Sequence, residues 1–171
     1  DIQETRAALI AVKETCDLPV FVTMTFSEDG RSLTGSDILT ALITLQALGA
    51  DAFGCNCSTG PEQMLNLLKP LTQYAKIPII AKPNAGLPEL KNGVSQFTMQ
   101  AQEFAEFTND FINNGITILG GCCGTTPEFI RTIKDKIVNI NINKLGNTEF
   151  LKKNISSDNA NLYLTSARKT V

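Results

Sequence analysis

Ile116-Thr117-Ile118-Leu119-Gly120-Gly121-Cys122-Cys123-Gly124-Thr125-Thr126-Pro127 reads as a strand running into a helix through a turn that carries two adjacent thiols. Ile116–Gly120 is a short apolar run rich in β-branched residues, and Pro127 opens an amphipathic stretch to Val138 with Thr126 at the N-cap position. Successive residues of a strand point to opposite faces, so Cys122 and Cys123 serve one ligand only if the chain turns there. The surrounding glycines permit that turn.

The same rhythm recurs upstream. A helix over Glu4–Glu14 precedes a strand at Pro19–Phe26, a polar turn at Ser27–Ser36 and a helix at Asp37–Leu48. A strand at Asp51–Cys57 then leads through Ser58-Thr59-Gly60-Pro61 to a helix at Glu62–Tyr74. A strand at Pro78–Lys82 is followed by a loop rich in Pro, Gly and Asn over Pro83–Gly93 and a helix at Met99–Asn113. One helix followed by four strand–helix units predicts the α/β class with a parallel sheet. Four such units amount to the C-terminal half of a (β/α)8 TIM barrel, a fold that takes about 250 residues when whole. From Asn139 the composition shifts to Asn, Lys and Ser. Residues 1–138 are therefore expected to form the half-barrel, and 139–171 a linker-like tail toward a following domain.

The chain of 171 residues is 43% hydrophobic and 19% charged, an ordinary globular composition. A net charge of −2 without a Lys/Arg-rich block argues against nucleic acid as a partner. No apolar run is long enough to span a bilayer and the first residues do not read as a signal peptide, so a cytoplasmic location is expected. Five cysteines, two of them adjacent, fit reduced metal-binding thiols better than a disulfide framework. The absence of histidine means that any zinc site within this chain uses sulfur and oxygen alone.

Cys57, Cys122 and Cys123 each fall at the carboxyl end of an expected strand, the edge where barrel enzymes build their sites. Three thiolates with a fourth position left for substrate is the pattern of a catalytic zinc. Such a site carries a formal charge of −1, which makes it a weak Lewis acid suited to activating a thiol rather than water. Cys55 shares a strand face with Cys57 but sits deeper and reads as core, and Cys16 reads as structural. Asn84, in the third loop at the same edge, has two open readings: a carbonyl oxygen for the metal or substrate, or a turn residue bonding its own backbone. Thr23, Thr25 and Ser58 are polar near strand ends and individually weak signals.

Gly54-Cys55-Asn56-Cys57 together with Gly120–Thr125 resembles the paired signature of zinc-dependent homocysteine S-methyltransferases. Gly60-Pro61-Glu62-Gln63-Met64, Pro83–Pro88 and Asp29–Gly35 are most similar to the homocysteine-binding module of cobalamin-dependent methionine synthases. The resemblance runs from Asp1 to about Val138. It implies a barrel in which Cys57, Cys122 and Cys123 hold zinc, and methylation of homocysteine to methionine. It further implies a methyl donor of the methylcobalamin/methyltetrahydrofolate type, brought by cobalamin-binding and folate-binding modules of the same polypeptide. It also implies that the groups holding the amino acid's amine and carboxylate belong largely to the barrel's first half. Within this family the donor could instead be betaine or S-methylmethionine. Outside it, the thiols alone would suit a non-catalytic zinc or redox module, or the chain could be a scaffold fragment without activity of its own.

Overall fold

Four parallel strands pair strictly in chain order, and a helix follows each of them. A computed structural model describes residues 1–91 and 93–138; the tail expected over 139–171 lies outside the described residues. After α1 (Ile2–Thr15) come β1 (Phe21–Met24), α2 (Ile38–Ala47), β2 (Ala52–Asn56), α3 (Pro61–Leu68) and β3 (Ile79–Lys82). Next are β4 (Pro88–Lys91), β5 (Val94–Phe97), α4 (Ala101–Asn113), β6 (Ile116–Leu119) and α5 (Pro127–Val138). The main sheet has the order β1-β2-β3-β6, all pairs parallel, with β1 and β6 at its edges among the described residues.

Local chemistry sets these limits. Asp37 caps α2 by accepting from the Thr40 N–H at 3.0 Å. Gly49, at φ +92°, takes the left-handed turn that ends the helix. The helix expected through Tyr74 stops at Leu68 and tightens into a 3-10 turn over Lys69–Leu71, because Pro70 has no N–H to continue the α ladder. The greater departure lies in the third loop. Its end is not irregular: β4 and β5 pair there as an antiparallel hairpin, with Pro88 opposite Phe97.

In β1, β2 and β3 alternate residues face the helices. Val22 and Met24, Phe53 and Cys55, and Ile79 and Ala81 join Leu9, Leu42, Leu45, Met64 and Leu68 in one core. The Phe26 and Phe53 rings meet edge-on, 6.5 Å apart. A second cluster forms around α4 and α5, where Phe104 and Phe129 meet at 5.4 Å over Ala101, Ala105 and Ile133. Asp51 ties α1 to the sheet by accepting from the Lys13 ammonium at 2.6 Å and the Val20 N–H at 2.7 Å. No helix among the described residues is long and apolar enough to cross a membrane.

The β2–β3 contact leaves no space for a side chain at Gly54, where an added Cβ would lie 1.8 Å from the Ile80 carbonyl oxygen. Gly54→Ala should therefore cost at least about 3 kcal/mol in urea unfolding of the intact protein. An unchanged midpoint would contradict this packing of the two strands.

Candidate metal centre

Parallel pairing brings the carboxyl ends of β2, β3 and β6 side by side, and the three expected thiols meet at that edge. Cys57 Sγ lies 3.6 Å from Cys123 Sγ, Cys122 Sγ lies 3.9 Å from Cys123 Sγ, and all three fall within 4.8 Å of one another. Cys55, by contrast, is 2% exposed and points into the core. Cys16 stands apart, directly after α1.

Each loop reaches this meeting differently. Beyond β2 the chain turns through Cys57 at φ +63° and Ser58 at φ +67°, two consecutive residues in the left-handed region that non-glycine residues rarely enter. Such strain concentrates where the surrounding structure fixes a functional geometry. The turn is held by the Cys57 N–H donating to the Lys82 carbonyl at 3.0 Å, and by the Thr59 N–H donating to the Cys57 carbonyl at 2.8 Å. The Cys122-Cys123 turn closes on itself, with the Thr125 hydroxyl donating to the Cys122 carbonyl at 2.7 Å.

The third loop fastens the Cys122-Cys123 turn to β3. The Cys122 N–H donates to the Pro83 carbonyl at 2.8 Å, and the Ala85 N–H donates to the Cys123 carbonyl at 2.9 Å. The Cys123 N–H donates to Asn84 Oδ1 at 3.1 Å. Asn84 is 4% exposed. Its carbonyl oxygen accepts from the neighbouring loop's backbone, not from its own turn, while its side chain also hydrogen-bonds toward Cys57. Of the weaker signals, Thr25 accepts a long 3.4 Å contact from Asn56, and the Ser58 backbone hydrogen-bonds to the Cys57 sulfur.

The thiols are electrostatically unequal. Burial alone would raise the Cys57 pKa, but hydrogen bonds from the Ser58 backbone, then Cys123, Cys122 and Asn84, outweigh it and bring the net value below the ordinary thiol range. Cys123 is pushed up to about 11, first by its hydrogen bond to Cys57, then by desolvation and the nearness of Cys122. Burial pushes Cys55 up to about 12, outside ligand or nucleophile chemistry. Three like charges this close ionise together only beside a cation.

The spacing fits one. A tetrahedral zinc with sulfur at about 2.3 Å requires sulfurs about 3.8 Å apart; the two separations from Cys123 are 3.6 and 3.9 Å, and the third, between Cys57 and Cys122, is within 4.8 Å. An all-thiolate donor set is also the soft kind that zinc accepts.

Two contributors escaped the sequence reading. Nothing in Cys57-Ser58 advertises a left-handed turn, because the signal for one is normally glycine or asparagine. The hairpin did carry a signal, the dipeptide Asn92-Gly93 between two strand-length segments, which favours a two-residue hairpin turn.

The family described as homocysteine S-methyltransferase matches residues 1–137. The chain is 37% identical over 147 residues to a methionine synthase of Mycobacterium leprae (strain TN), and 37% identical over 146 residues to one of Mycobacterium tuberculosis (strain ATCC 25618 / H37Rv). In both comparisons 82% of this chain is covered, but only 12% of the relative. Among solved structures, the homocysteine methyltransferase MmuM from Escherichia coli superposes with a TM-score of 0.64 in its oxidized and metallated forms. Identity there is 18% and 20%, over 80% of this chain and 42% of that one, a likeness of fold.

The unequal thiols make a direct prediction for metal-free protein at neutral pH. Alkylation followed by mass spectrometry should label Cys57 faster than Cys123 and leave Cys55 unmodified until denaturant is added. Early labelling of Cys55, or equal rates at Cys57 and Cys123, would contradict the site as described.

Proposed function

Because this chain belongs to the homocysteine S-methyltransferase family, we propose that it holds zinc through Cys57, Cys122 and Cys123 and activates the thiol of homocysteine for methylation to methionine. The observation that carries the reading is the convergence of three sulfurs within 4.8 Å from two distant loops. Zinc bound there supplies a weak Lewis acid with a remaining position for a substrate thiol, keeping that thiol ionised yet nucleophilic at neutral pH.

The chain's own residues prepare that position. Ser58 and Asn84 direct hydrogen bonds at the Cys57 sulfur and favour its thiolate. Asn84 also grips the Cys123 backbone, so one buried amide sets the distance between the two cysteine loops. The role of fourth ligand or substrate contact, considered for Asn84 from the sequence, falls to the same carbonyl oxygen that accepts from the Cys123 N–H. The substrate sulfur gains the methyl group after losing its proton, and the donor retains the electron pair of the broken bond. The donor is methylcobalamin/methyltetrahydrofolate, brought by cobalamin-binding and folate-binding modules of the same polypeptide. The 37% identity to two methionine synthases is what supports this choice of donor.

The fold follows the same reading. Residues 1–138 form the C-terminal half of a (β/α)8 barrel, supported by parallel strands in chain order with helices packed on one face. The amine and carboxylate of homocysteine are then held mainly by the other half.

Elemental analysis of the full-length protein should find one zinc per site. Cys122→Ser should remove it and lower methyl transfer to homocysteine by more than about a hundredfold, beyond the usual effect of a residue that only supports a ligand. Stoichiometric zinc and undiminished transfer in Cys122→Ser would overturn the assignment.

A further inference from the structure

Cys123 is the exposed member of the thiol trio, yet its loop must be held still for the sulfurs to keep one spacing. The segment between β3 and α4 meets that loop twice. Its first contact is the set of three hydrogen bonds from Pro83, Asn84 and Ala85. Its second comes fourteen residues beyond Pro83, at the end of the hairpin, where Phe97 lies directly over Gly124. A Cβ built on Gly124 would fall 2.5 Å from Phe97 Cβ and 2.6 Å from Phe97 Cγ. Only glycine admits so close an approach, and Gly124 is also at φ +79°. Phe97 is itself anchored: its backbone pairs with Pro88 across the hairpin, and its side chain packs against the cluster of Ala85, Phe104 and Phe129.

We propose that Phe97 is a positioning residue for the metal centre. It closes the hairpin over the turn containing Cys122 and Cys123, so that retention of the metal depends on a side chain that is not one of its ligands. The proposal rests on the zinc reading above. Hydrogen bonds fix the loop's backbone on the β3 side, while the ring fills the space into which residues 123 and 124 would otherwise swing. Without the ring the thiols remain but their spacing fluctuates, and a chelator competes more easily for the ion.

The test uses zinc-loaded full-length protein and three readouts: zinc transfer to a chromogenic chelator, the absorption of a cobalt-substituted sample, and hydrogen exchange. Phe97→Ala should release zinc about tenfold faster or more, alter the cobalt–thiolate band, and raise exchange locally over residues 120–126. Phe97→Tyr, which keeps the ring, should stay within about twofold of the original rate. If Phe97→Ala does not fold, Phe97→Leu replaces it, with an intermediate rate expected. Unchanged release and spectrum in the Ala or Leu variant overturn the proposal, as does exchange rising throughout the domain or fast release from Phe97→Tyr. A wild-type protein that holds no zinc would instead refute the metal reading itself.

Discussion

Parallel strand pairing puts the carboxyl ends of β2, β3 and β6 along one edge, and the rest of the site follows from that constraint. Cys57 and the Cys122-Cys123 pair are more than sixty positions apart in sequence, but β3 lies between their strands and its following loop reaches both. Asn84 bonds to one loop's backbone and to the other's sulfur. A buried amide in that position couples the two loops, because losing either partner would leave a desolvated polar group unpaired.

The second constraint is electrostatic. Close thiols share their protons unequally, so Cys57 is drawn toward the thiolate while Cys123 is held as the thiol. A divalent cation removes the conflict by letting all three ionise. The same packing that makes the metal-free trio unfavourable as three thiolates thus makes a bound cation favourable there. Cys55, two residues before Cys57 but still inside β2 and buried in the core, shows how strongly position decides: burial alone raises its pKa to about 12 and removes it from this chemistry.

The strand–helix rhythm was readable because each element combines its own periodicity with local stop signals, such as the Asp37 cap and Gly49. The thiol trio was readable because adjacent cysteines framed by glycine make poor core. What could not be read were consequences of tertiary fit. The left-handed Cys57-Ser58 pair is held by hydrogen bonds to a neighbouring strand and loop, and Phe97 reaches Gly124 only once the hairpin forms. The hairpin itself was obscured by prolines and glycines that suggested an irregular loop, although Asn92-Gly93 pointed the other way. For Asn84 the sequence offered a ligand or a local turn, and the structure adds a bridge between loops.

The central claim is that Cys57, Cys122 and Cys123 surround one zinc ion and leave a position for a substrate thiol. X-ray absorption at the zinc edge of the full-length protein, with and without homocysteine, tests it most directly. The account predicts three sulfur ligands at about 2.3 Å and a lighter fourth ligand in the free protein, becoming four sulfurs when homocysteine is added. A shell already complete with four sulfurs, or one that homocysteine leaves unchanged, would contradict it.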